Sequence, residues 1–132
     1  MADDFTAAMP FAGVLEIEVD AAAPDEVRGR MAWRAELCTA GGILHGGALM
    51  GFADNLGAIC AFLSLPPDAT TATVESKTNF FRPVRGGTVS GVTRPLHVGR
   101  AFIVVQTELA DDAGRAVAQV TQTQAVIARR DG

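Results

Sequence analysis

Residues 43–63, "ILHGGALMGFADNLGAICAFL", decide how the rest of the chain is read. The run is small and apolar except for one acid, Asp54, which is also the only fully charged residue between Glu36 and Asp68. Helical character begins at His45 or Gly46 and continues to about Leu63, where "SLPPD" ends it because proline cannot extend a helix. A helix apolar all round is expected to be buried on both sides. Its length would suit a membrane, but His45, Asp54, Asn55 and four glycines, without flanking Lys or Arg, favour a buried core helix. A carboxylate deprived of water costs several kcal/mol unless partners relieve it. Asp54 therefore needs a reason to be there.

On either side of this helix the pattern is that of strands. "FAGVLEIEV" (11–19) alternates apolar and acidic residues as far as Val19, and "EVRGRMAWR" (26–34) sets Val27, Met31 and Trp33 against Arg28, Arg30 and Arg34. Downstream, 70–81, 88–98, 101–109 and 114–130 are rich in Val, Thr, Ile and Phe, and "ADDAGR" makes a good hairpin turn. The expectation is an α+β fold: an antiparallel sheet of five to six strands wrapped around one long central helix. One domain over 1–132 suffices, with its core at about 10–128, and a second subunit is expected to cover whatever the sheet leaves bare.

Bulk composition narrows the function. The chain has 132 residues, 48% hydrophobic and 20% charged, a globular balance. Its net charge of −4, with no basic arm, argues against a nucleic-acid partner. Cys38 and Cys60 form neither a disulfide framework nor a metal-ligand set. The opening "MADDFTAAMPFAG" is acidic and lacks an apolar h-region, so the expected compartment is the cytoplasm, with no membrane partner.

A helix N-terminus leaves backbone N–H groups free and carries partial positive charge. At His45-Gly46-Gly47 this suits an oxyanion hole for a carbonyl that becomes tetrahedral; a glycine-rich start used only for packing is the other reading. Spacing adds a constraint. Asp54 lies eight residues beyond Gly46, about 12 Å along one helix, whereas groups acting on one carbonyl must lie within ~3 Å of it. Two antiparallel copies of the helix could meet that requirement, so a catalytic Gly46–Asp54 pair implies at least a dimer.

The segment "LHGGALMGFADNLGA", followed by "ESKTNFFRPVRGG" and "HVGR", resembles the hotdog-fold acyl-CoA thioesterases of the phenylacetate-type (PaaI-like) branch over roughly residues 10–128. The resemblance implies that the Gly46 N–H is donated to the thioester carbonyl while His45 shapes the loop. It further implies that Asp54, from the opposite subunit, is general base or nucleophile, and that Thr73 helps hold the acid or the attacking water. One position departs: Thr39 stands where family members often carry Asn or Gln. The implied assembly is a homodimer and homotetramer, and no cofactor is implied, coenzyme A being part of the acyl-CoA substrate. An acyl-CoA-binding module without turnover is the competing reading, kept open by Thr39. A hydratase would need a histidine set against an acid, which no spacing here provides.

Charge distribution bears on the nucleotide. From Ser76 to Thr107 there is no acid, yet Lys77, Arg82, Arg85, Arg94 and Arg100 are present. Arginine recognises phosphates well, so Arg82 and Arg100, at strand ends beside Pro83 and Gly99, are expected to meet coenzyme A, with Gly47, Phe81 and Gly99 lining the substrate. Solubilising charge is the alternative for any one arginine. Cys38 lacks an activating neighbour for a nucleophile, His45 and His97 lack carboxylates for a metal site, and Trp33 reads as core. Small residues at Ala48, Gly51, Ala53 and Ala58 leave room at the helix for either an aromatic or a medium-chain acyl group.

Overall fold

The long helix forms where the apolar run predicts it. In a computed structural model, which describes residues 2–129 with side chains from Phe5 onward, the elements run α1 (Ala2–Ala8), α2 (Pro10–Val14), β1 (Glu18–Ala23), β2 (Glu26–Ala32), α3 (Gly46–Leu63), β3 (Ala69–Phe80), β4 (Thr88–Val98), β5 (Phe102–Ala110) and β6 (Ala116–Ala128). His45 caps α3 and Ser64 closes it, two residues before Pro66. The six strands form one antiparallel sheet in the order β1-β2-β4-β5-β6-β3, so β1 and β3 are its edges.

A cross-strand pair of glycines decides how the helix meets the sheet. Gly29 of β2 lies opposite Gly91 of β4. A Cβ on Gly29 would fall 2.8 Å from Leu56 Cδ2, and one on Gly91 would fall 2.6 Å from Leu56 Cδ1 and 3.2 Å from the Phe52 ring. The two glycines thus leave a dent, and the fully buried Leu56 and Phe52 fill it. Met31, Ile59, Ile103, Val105 and Leu109 complete the centre of the core around them. Most of α3 (56%) is buried in the chain's own fold, as befits a core helix.

Two expectations need correcting. Residues 11–14 are helical, not extended: Pro10 opens α2 at its first turn, where a fixed φ and a missing N–H cost nothing, and Glu16 at φ 54° turns the chain into β1. The inward alternation is real only over Leu15, Ile17 and Val19. Phe5 of α1 and Met9 also pack against the core, so packing begins ahead of residue 10. The sheet of one chain leaves part of α3 bare: Met50, Asp54 and Phe62 on its outer side are exposed.

Gly91→Val should lower unfolding free energy by about 1–3 kcal/mol, because branched methyls must displace Leu56 and Leu109. A urea melt checks this, with an unchanged midpoint as the contrary result.

Candidate active site

Two clusters of side chains surround α3, one at its start and one halfway along. At the start, the His45 Nδ1 accepts the Gly47 N–H at 2.8 Å, and the His45 carbonyl accepts the N–H groups of Ala48 and Leu49. Among the described residues the Gly46 N–H has no hydrogen-bond partner. Gly47, expected to line the substrate, has its own N–H taken by His45. The loop ahead of the helix is tied down: His45 N–H donates to Leu37 O, Leu44 N–H to Val84 O, and the Trp33 indole N–H to Gly42 O at 3.0 Å. Trp33 is thus a half-buried loop anchor as well as a packing residue.

A groove of about 410 Å³ opens beside this helix start, lined among others by Thr39, Gly46, Phe80, Phe81 and Arg82. The structure therefore brings together four residues picked out from the sequence: Thr39, Gly46, Phe81 and Arg82. Phe80 was not among them. Its ring stands 3.1 Å from where a Gly46 Cβ would be, so a side chain at 46 would strike it.

Halfway along α3, Asp54 projects outward beside β3. Its Oδ1 accepts the Thr73 hydroxyl at 3.2 Å and the Gln122 amide Nε2–H at 2.5 Å. Gln124 donates its own amide N–H to Thr73 Oγ1 at 2.8 Å. A bulge between Thr73 and Glu75 matters here: it lets Thr73, opposite Gln124, and Ser76, opposite Gln122, both share the inner face of the sheet. Thr73 reaches Asp54, as the resemblance implied. Gln122 and Gln124 were not anticipated, because both are fully buried amides whose partners lie far away in sequence.

Arg82 and Arg100 do not converge within one chain. Phe80, two residues before Arg82, pairs with Ala118, while Ala101 O accepts the N–H of Val126. From Ala118 to Val126 the strand advances about 26 Å. Gly99 stays with Arg100 at the far hairpin, next to the His97 ring. Arg82 instead shares a second pocket, about 460 Å³, with Arg85 and Arg115. The Arg115 backbone N–H and guanidinium hold the Asp111 carboxyl below the usual carboxylate range. Arg82 and Arg85 have no acidic partner among the described residues. Burial pushes the Cys60 thiol up to about 11, with the nearby Asp25 adding to the effect, so this cysteine is protonated near neutrality.

Residues 41–118 match the thioesterase superfamily. The chain is 30% identical over 115 residues to the 1,4-dihydroxy-2-naphthoyl-CoA hydrolase of Escherichia coli, a match covering 87% of this chain and 85% of that one. It is 39% identical over 85 residues to a Vibrio cholerae protein named as an esterase, covering 64% of this chain but 57% of that protein's length. Among solved structures, a mutant of thioesterase PA1618 from Pseudomonas aeruginosa superposes with a TM-score of 0.91 at 25% identity, covering 96% of this chain and 94% of that one.

His45→Ala removes the acceptor for the Gly47 N–H and should cost about 1 kcal/mol of stability. A guanidinium melt measures it, and an unchanged midpoint would show that the cap adds nothing.

Proposed function

This chain belongs to the thioesterase superfamily and is a thioester hydrolase; we propose that its substrates are acyl-CoAs, hydrolysed in the cytoplasm at a site shared between two subunits. The observation that carries the reading is the Asp54 carboxylate, placed on the outer side of a core helix and held through one oxygen by Thr73 and Gln122. In this reading Asp54 takes a proton from water as the water oxygen attacks the thioester carbon. The carbonyl oxygen gains negative charge, which the Gly46 N–H of the other subunit stabilises by donating a hydrogen bond to it. Collapse of the tetrahedral intermediate re-forms the carbonyl and expels coenzyme A as thiolate, leaving the free acid. Coenzyme A enters only as part of the substrate, and no further cofactor is called for.

Two features support sharing of the site. Gly46 and Asp54 sit on one rigid helix about 12 Å apart, and the groove at Gly46 is not lined by Asp54. Two copies related by a two-fold axis would set the groove of one beside the carboxylate of the other. The dimer is thus part of the proposal, as is its pairing into a tetramer. The coenzyme A linkage draws support from the Escherichia coli relative, which is named for a CoA thioester, and from Arg82 and Arg85, which have no acidic partner among the described residues and of which Arg82 lines the groove.

Asp54→Asn keeps shape and polarity but removes basicity, so kcat should fall by about 10²–10⁴. The Kd of a non-hydrolysable acyl-CoA analogue should barely change. Mixing this variant with Gly46→Val subunits should restore up to half of the sites in heterodimers; folded, exchanged mixtures without recovery would exclude a shared site. Single turnover in ¹⁸O-water places label in the product acid alone for general-base attack, and in the Asp54 side chain for a covalent anhydride.

Arg82→Ala should raise KM for an acyl-CoA several-fold while sparing kcat, as a contact equal in ground and transition states does. The matching acyl-pantetheine, which lacks the nucleotide, should be turned over as before. Equal loss on both substrates would make Arg82 structural.

A further inference from the structure

Gln122 and Gln124 lie fully buried on the inner face of β6, where an amide is costly unless its groups are bonded. Their bonds form one chain. Thr71 Oγ1 lies 3.2 Å from Gln124 Oε1 and 2.9 Å from Ala125 O, while Gln124 donates an amide N–H to Thr73 Oγ1 at 2.8 Å. With that oxygen accepting, the one hydroxyl proton of Thr73 is directed at Asp54 Oδ1. Gln122 Nε2 donates to the same oxygen from the other side at 2.5 Å. Asp54 Oδ1 is therefore held by two donors, whereas Oδ2 accepts no hydrogen bond among the described residues.

Gly57 shows what seating Gln122 costs. Glycine inside a helix is unfavourable relative to alanine, yet α3 carries one here, one turn beyond Asp54. The Gln122 amide occupies the space a Gly57 Cβ would need, with its Cδ 2.8 Å from that position and its Oε1 closer still. Oε1 itself is buried without a hydrogen-bond partner among the described residues. Flipping the amide would aim that oxygen at the carboxylate, which repels it, so the amide N–H is the group that must face Asp54.

We propose that Gln122 is a positioning residue: seated against the bare Gly57, it clamps Oδ1 of Asp54 and leaves Oδ2 as the oxygen that takes the proton from water. This rests on the reading of Asp54 as the base, and the experiment separates the two. Initial rates would be measured with benzoyl-CoA and hexanoyl-CoA, keeping whichever the wild type turns over faster. Gln122→Met fills similar volume without a donor, and should lower kcat by about 10- to 100-fold, the scale of a hydrogen bond to a charged group, with KM within about twofold. Gly57→Ala should act in the same direction by dislodging the amide, although alanine favours the helix. In the Asp54→Asn background, Gln122→Met should cause no further loss, because residues acting through one bond are not additive.

A side chain that merely packs would multiply its cost in that double variant. Such multiplication, or full kcat in a folded Gln122→Met protein, overturns the role of Gln122. If Gln122→Met does not fold, Gly57→Ala decides: undiminished kcat there overturns the proposal, and a kcat loss with KM unchanged supports it. Full activity in Asp54→Asn would instead defeat the reading of Asp54 itself, whereas an inactive Asp54→Asn beside a fast Gln122→Met defeats only the inference about Gln122.

Discussion

The insertion of Leu56 and Phe52 into the dent left by Gly29 and Gly91 sets the rotation of α3, and the functional geometry follows from that rotation. In a helix each residue turns about 100°, so Asp54, two positions from Leu56, faces roughly 160° away from the sheet centre. It emerges on the outer side, over the inner face of β6 and β3. Gly57, three positions beyond Asp54, lies about 60° from it around the axis, which opens the gap through which Gln122 reaches. A helix free to roll could hold neither relation.

The inner face of the sheet is accordingly not a uniform apolar surface. Under the centre of the helix it is Val27, Val89, Val105 and Leu109; toward the β3 edge it becomes Gln122, Gln124, Thr71 and Thr73. Each of those four makes a hydrogen bond to another or to Asp54. Thr93 and Thr107, also buried, share a 2.6 Å bond between their hydroxyls. Such groups are tolerated in a core because they satisfy one another, and those near β3 also steer the carboxylate. The charge stays on the open side of the helix, where water can reach it, so its desolvation is shared between solvent and donors.

The same rigidity keeps Gly46 and Asp54, the two ends of the proposed chemistry, apart. The free Gly46 N–H belongs to a groove walled by the 37–45 loop and the chain after β3, both pinned by backbone bonds such as Leu44 N–H to Val84 O. Asp54 lies two turns further along the helix, outside that groove. In the proposed mechanism one protomer thus presents a donor for a developing oxyanion and a base that cannot reach the same atom. β3, carrying Thr73 and ending at Phe80, is an edge strand most of whose residues are exposed. It runs from Thr73, beside Asp54, to Phe80, beside Gly46.

Local signals were readable from the sequence wherever a short stretch governs its own conformation. The span of α3 followed from an apolar run stopped by prolines, and β4 was expected over the residues it occupies, Thr88–Val98. Asp54 stood out because a charge in an apolar run is visible in one dimension, and Thr73 followed from a resemblance. The apolar start of 11–19 misled, since apolar residues next to a proline suit a strand edge or a helix start, and only packing of Phe11 and Leu15 over Gly51 chose between them. The separation of Arg82 from Arg100 depends on strand register, which no single segment encodes. Gln122 is the sharpest case: in "QVTQTQ" it looks like one more outward polar residue, and only a carboxylate 68 positions away in sequence gives it a reason to be buried. Sequence determined the elements and the charge, because helix and strand periods and the cost of a lone acid are local or one-body terms. Tertiary structure decided what holds that charge, because a hydrogen bond between distant residues exists only once the sheet has brought them within 3 Å or so of each other.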